Sequence, residues 1–102
     1  MSVMVIIKMN AAKDQFERVA AENADMMREV SQRGKDAGAI HHSFNVDPNG
    51  LVQVVDEWPD AESFQGFFES EGPNIGPLMA QAGVEGQPEI QVWPKLDTAD
   101  AF

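Results

Sequence analysis

The 102-residue chain contains no cysteine. That excludes a disulfide framework, a thiolate metal site, a cysteine nucleophile and an iron–sulfur cluster together. Long apolar runs are missing too: the longest, Val3 to Ile7, is ended by Lys8 and is far too short to span a bilayer. No basic segment opens the sequence and no small-residue cleavage site follows, so a cytoplasmic protein without a signal peptide is expected. Basic residues are scarce, with seven Lys and Arg against 17 Asp and Glu and a net charge of −10. Residues 1–46 are balanced, carrying Lys8, Lys13, Arg18, Arg28, Arg33 and Lys35 against six acids. Residues 47–102 hold eleven acids and Lys95 alone, so the second half carries the whole excess. Phosphate and anionic lipid repel a polyanion, which argues against nucleic acid and membrane surfaces as partners. Solubility is the plain reading of the acidity.

What is present is ordinary globular composition, 43% hydrophobic and 24% charged. One domain over 1–102 is expected, with 97–102 as a flexible tail whose Phe102 could dock on a partner. A chain of this size buries roughly 65% of its unfolded surface, so its stability is modest unless it oligomerises.

Val3 to Met9 is rich in Val, Ile and Met without a turn residue, the pattern of a strand buried on both faces. From Ala11 the period changes. Phe16, Val19, Ala20, Asn23, Met26, Met27 and Val30 form one helical stripe, predicting a long helix. Asn10 is its candidate N-cap and Gly34 or Gly38 its stop. Asp14–Arg18 and Glu29–Arg33 are spaced to support it as i,i+4 pairs, each worth ~0.3 kcal/mol. Residues 39–46 alternate, with Ile40, His42, Phe44 and Val46 on one face and His41, Ser43 and Asn45 on the other. Asp47-Pro48-Asn49-Gly50 is a strong turn signal, and Leu51 to Trp58 completes a β-hairpin. Asp60 is the N-cap candidate of a helix with an apolar face of Phe64, Phe67 and Phe68. Gly72-Pro73 and Gly76-Pro77 should interrupt that helix, with a short helical piece resuming over 74–82. Glu89 to Lys95 is the last strand, Ile90 and Val92 facing one way and Gln91 and Trp93 the other.

The order β-α-β-β-α-β is that of a ferredoxin-like α+β sandwich, a four-stranded antiparallel sheet with helices on one face. The other face cannot be wholly polar, because Trp58, Trp93, Ile40 or Val54 falls on one side or the other of every strand pairing. A bare apolar face of several hundred Å² is not tolerated in a soluble monomer. A homodimer is therefore expected, sheet facing sheet, around an apolar cavity.

The stretch Val55-Asp56-Glu57-Trp58-Pro59-Asp60-Ala61-Glu62-Ser63-Phe64, after the strand start Gly38-Ala39-Ile40, resembles the antibiotic biosynthesis monooxygenase-like proteins of the dimeric α/β-barrel group. In these a strand ends in Glu-Trp and a short polar segment leads into a helix carrying an aromatic. The resemblance implies a dimeric α/β barrel and an activity such as cofactor-independent oxygenation of phenols or quinols. A haem-degrading branch needs an asparagine inside the first strand, a tryptophan in the second helix and a histidine about ten residues later. Here those positions fall at Asn10, at the strand's end, near Phe67 and near Pro77, and no histidine follows His42. Haem degradation is not expected, and neither is any other cofactor.

His41 and His42 are adjacent on a strand, so their rings point to opposite faces and cannot share one metal ion. No metal site is expected. Either histidine, placed in the cavity, could take a proton from a phenol or hydroquinone. The alternation sets His42 with Ile40 and Phe44 under the helices, and His41 with Ser43 and Asn45 towards the cavity between the sheets; the reverse assignment stays open. Trp58 and Phe67 are candidates to contact a flat aromatic substrate, with Ser43 or Asn45 orienting it by a hydrogen bond. Asp56 and Glu57 point apart and are expected to be solvated. The function expected is a cofactor-free monooxygenase acting on a small aromatic molecule. A non-catalytic module binding a small hydrophobic ligand, or a structural dimer without a cavity, are the alternatives.

Overall fold

A computed structural model describes residues 1–102. Its elements are β1 (Val3–Ala12), α1 (Lys13–Glu22), α2 (Ala24–Asp36), β2 (His41–Val46), β3 (Leu51–Trp58), α3 (Ala61–Gln81) and β4 (Glu89–Pro94). The strands form one antiparallel sheet in the order β2-β3-β1-β4. This is the ferredoxin-like arrangement, with β1 and β3 at the centre. Val5, Ile7, Met9 and Ala11 of β1 and Val52, Val54 and Trp58 of β3 are buried on one sheet face, against Phe16, Val19, Phe64 and Leu78 of the helices. No helix is long and apolar enough to cross a membrane.

The hairpin is fixed by its turn. Gly50 N–H donates to the Asp47 carbonyl at 2.9 Å, Asp47 N–H donates to the Leu51 carbonyl at 2.8 Å, and Gly50 takes φ +81°. This is a three-residue loop whose last residue must be left-handed, which glycine adopts freely. Asp47 Oδ1 accepts from Leu51 N–H at 3.0 Å and Asn49 N–H at 2.8 Å, while Oδ2 accepts from Gln53 Nε2 at 3.0 Å. These bonds, the one from Leu51 foremost, hold the Asp47 carboxyl below its usual range. The loop sets the register that places Phe44 opposite Val54 and His42 opposite Asp56.

Four local expectations are corrected. Asn10 caps no helix: β1 continues to Ala12 through a bulge between Lys8 and Ala11, where Asn10 takes φ 56° and its Oδ1 accepts from Gln53 Nε2 at 2.9 Å. The long helix is two, α1 and α2, because Asn23 leaves helical geometry (φ −119°, ψ 27°) and its Nδ2 donates to the Val19 carbonyl at 2.8 Å. A short amide side chain competes in this way with the helical ladder. The ion pairs also differ, since Lys13 pairs with Glu17, Arg28 with Asp25 and Arg33 with Glu71 of α3.

The fourth correction concerns α3, which runs unbroken through Pro73 and Pro77. The prolines lie one turn apart and are exposed, as are Glu69 and Pro73, whose carbonyls lose their helical donors. Water can satisfy those carbonyls. On the inner side Glu71 and Leu78 are buried and hold the helix in place. Asp60 caps its start as expected, accepting from Ser63 N–H at 2.7 Å.

Glu71 is nearly inaccessible and ties α2 to α3. Arg33 donates to it through both Nε and Nη2, and Asn74 Nδ2 donates to its Oε2 at 3.1 Å. The Arg33 guanidinium holds the Glu71 carboxyl below its ordinary value of 4.5. A carboxyl lowered on folding stabilises fully above its unfolded pKa, and that contribution is lost as pH falls through the lowered value. Arg33→Ala is therefore expected to destabilise the protein at neutral pH by leaving the Glu71 carboxylate without its cation. The cost should shrink well below pH 4.5 as Glu71 becomes neutral. Urea denaturation of both proteins at neutral and acidic pH measures this; an equal difference at both would contradict it.

Candidate active site

The paired register of β2 and β3 sends alternate residues to opposite sides of the sheet. His42, Phe44, Val54, Asp56 and Trp58 face the helices. His41, Ser43, Asn45, Gln53, Val55 and Glu57 face away. A cavity of about 400 Å³ lies on the helical side, within the range of small-molecule sites. Ile7, Phe44, Val54 and Trp58 form its floor. Met26, Met27 and Val30 of α2 and Phe64, Phe67, Phe68 and Met79 of α3 form its walls. The helices approach closely at one point, where a Cβ on Gly34 would lie 3.3 Å from the Phe67 ring. Phe67 thus rests over bare α2 backbone and packs on Trp58, ring centroids 5.3 Å apart.

A buried polar array is set into the floor of this lining. His42 Nδ1 lies 2.7 Å from Asp56 Oδ1, and Trp58 Nε1 donates to Asp56 Oδ2 at 3.1 Å. Asp56 is 6% exposed and Trp58 1%, so the carboxylate is dry with both oxygens engaged. A buried carboxylate next to Nδ1 fixes the proton there, which leaves Nε2 as the basic nitrogen. Nε2 has no hydrogen-bond partner in the protein, and the His42 side chain, 40% exposed, remains accessible at the cavity. Its ring stands edge-on to Phe44 at 5.0 Å, which limits its rotation. The arrangement is that of an oriented base: a carboxylate positions the imidazole, and an indole positions the carboxylate.

Of the residues singled out in the sequence, the structure brings His42, Trp58 and Phe67 together. His41 contributes to the cavity rim, but its Nε2 lies 3.1 Å from Ser43 Oγ on the opposite sheet face. Ser43 and Asn45 stay on that face, Asn45 Nδ2 donating to Ser43 Oγ at 2.9 Å, and neither lines the cavity. They sit where the alternation of the sequence sets them, on the face away from the helices. Asp56 is corrected: it is buried and bonded, not solvated. Glu57 is half-buried, accepting from Ser2 Oγ at 2.6 Å and Lys95 Nζ at 3.3 Å, and these partners lower its pKa. The hairpin turn carried the missing signal, since closing the loop at Asp47 and Leu51 sets His42 opposite Asp56.

No family model matches the sequence, and no curated protein is recognisably similar to it. Solved structures match the fold. A dimeric ferredoxin-like protein from an uncultured marine organism superposes with a TM-score of 0.66 at 12% identity, over 99% of this chain and 92% of that one. A monooxygenase of Streptomyces coelicolor, determined with the ligand nanaomycin D, gives 0.61 at 11% identity, over 98% and 92%. A cofactor-independent oxygenase from Streptomyces nogalater gives 0.56 at 14% identity, over 98% and 96%. Others are described as antibiotic biosynthesis monooxygenases. The fold is thus the one these monooxygenase-like proteins share, and the likeness extends over nearly the whole chain.

Proposed function

We propose that this protein oxygenates a small phenolic or quinol-type aromatic molecule with O₂, without a bound cofactor, in the cavity between sheet and helices. The observation that carries this reading is the His42–Asp56–Trp58 array set in a mostly apolar pocket. A phenol lying over Phe67 and Trp58 presents its hydroxyl to His42 Nε2. The proton passes to Nε2, and Asp56 stabilises the resulting imidazolium. In a dry cavity the phenolate is an electron-rich reductant, and one electron passes from its ring to O₂. The radical pair recombines with formation of a C–O bond at the para carbon. The peroxide anion so formed loses its terminal oxygen as the O–O bond breaks, and that oxygen takes the para hydrogen as a proton and leaves as hydroxide. His42 returns its proton to this hydroxide, and a quinone and one water are left. One O₂ is consumed per phenol. Oxygen uptake with 1-naphthol, with 1,4-naphthoquinone as product, tests it. Binding without uptake would leave only a ligand-binding module.

The second proposal concerns the bare sheet face, where Met4, Ile6, Val55 and Trp93 come together and Trp93 is 55% exposed. We propose that a second copy covers it, as the dimeric ferredoxin-like neighbour suggests. Ser43, Asn45 and the Glu57–Lys95 pair ring this apolar centre, in the manner of an interface rim. Trp93→Asp is then expected to convert a dimer into a monomer by light scattering at micromolar concentration. A wild-type monomer, or an unchanged dimer in the variant, would overturn the proposal.

A further inference from the structure

The cavity mouth differs in charge from the rest of the molecule. In a chain of net charge −10, five of the seven basic side chains lie within ion-pairing distance of carboxylates. Arg18 and Lys35 do not, and Lys35 lines the cavity. Arg28, Ser31 and Lys35 fall at i, i+3 and i+7 on α2, so they share the helix face that borders the opening. Arg28 already pairs with Asp25, which leaves Lys35 as the uncommitted cation. The one carboxylate in the lining is Asp56, and both its oxygens are taken by His42 and Trp58. No acidic side chain of the cavity is therefore available to Lys35.

From this we infer that the ligand is an amphipathic anion: an apolar ring system that fills the pocket and bears a carboxylate at the mouth, where Lys35 selects it. The inference rests on the cavity being the binding site, as proposed above. It assigns Lys35 as a specificity-determining residue and an aromatic hydroxy acid as the substrate class. The negative field of the whole chain opposes capture of an anion, so a local unpaired cation is the feature such a ligand requires. An exposed pair of this kind changes affinity by about twofold to fivefold, and salt weakens it.

Calorimetric titration of the full chain with 6-hydroxy-2-naphthoate and with 2-naphthol tests this, since the two share ring and hydroxyl and differ in the carboxylate. The expected result is that the acid binds about twofold to fivefold more tightly. In Lys35→Glu the ratio of the two affinities should fall to one or below, and in Lys35→Arg it should persist. Equal affinities in the wild type, or a preference that survives Lys35→Glu, would overturn the role of Lys35 while leaving the cavity as a binding site. Failure of both compounds to bind would overturn the cavity reading itself, and the inference with it.

Discussion

Replacing His42 by alanine is expected to lower the rate of oxygen uptake by about 10²- to 10⁴-fold, the range over which a positioned base contributes to proton transfer. The reason lies in the geometry: Nδ1 is held by Asp56 at 2.7 Å, and Nε2 has no partner in the protein and faces the cavity. His41→Ala should leave the rate close to that of the wild type, because the His41 ring lies against Ser43 of the same strand, on the face away from the helices. Comparing the two variants separates a specific base from a general loss of imidazole. Thermal melts check that both remain folded. Unchanged turnover in His42→Ala would remove the proposed base, and equal losses in both variants would show that position in the cavity does not decide the role.

The largest expected effect on stability comes from Trp58→Ala, at about 4 kcal/mol. Trp58 is among the largest fully buried side chains. It packs on Phe67 and Phe64, with centroids 5.3 and 6.0 Å away, and closes β3 against α3. Truncation leaves a void beneath the cavity and strips Asp56 Oδ2 of its donor. For a domain of about 100 residues this lowers the melting temperature by roughly 15–30 °C. Trp58→Phe keeps most of the packing and loses only the indole donor, so a cost of about 1–2 kcal/mol is expected. A loss below about 1 kcal/mol for Trp58→Ala would show that the cavity floor is not part of the core.

The element order was legible because its signals are local. The alternation of 39–46, the Asp47-Pro48-Asn49-Gly50 turn and the Phe64–Phe68 spacing each specify one structure, and together they give the ferredoxin-like fold. The errors arise where tertiary contacts outweigh local preference. Pro73 and Pro77 would end an isolated helix, but their outer placement and the inner anchoring of Glu71 and Leu78 let α3 continue. Arg33 has Glu29 within reach on its own helix, yet Glu71 is buried and needs a cation. The site was half legible. Residue type and alternation put His42 under the helices and marked Trp58, whereas the position of the cavity depends on how far α2 and α3 stand from the sheet. That distance is set by many side chains at once, the Phe67 ring against Gly34 among them, and no single motif encodes it. Asp56 was overlooked because adjacency to Glu57 suggests solvent, although opposite pleats give the two acids opposite surroundings.

The two tryptophans lie on opposite faces of the sheet, Trp58 at the helical cavity and Trp93 on the bare face. Each supplies one indole N–H resonance, and Trp93→Phe assigns them. Titrating the ¹⁵N-labelled protein with 6-hydroxy-2-naphthoate while following both resonances therefore shows where a ligand binds. If the functional cavity lies between sheet and helices, the Trp58 signal shifts and the Trp93 signal stays in place. A shift of Trp93 with Trp58 unmoved would place the ligand between the sheets of a dimer and contradict the cavity site.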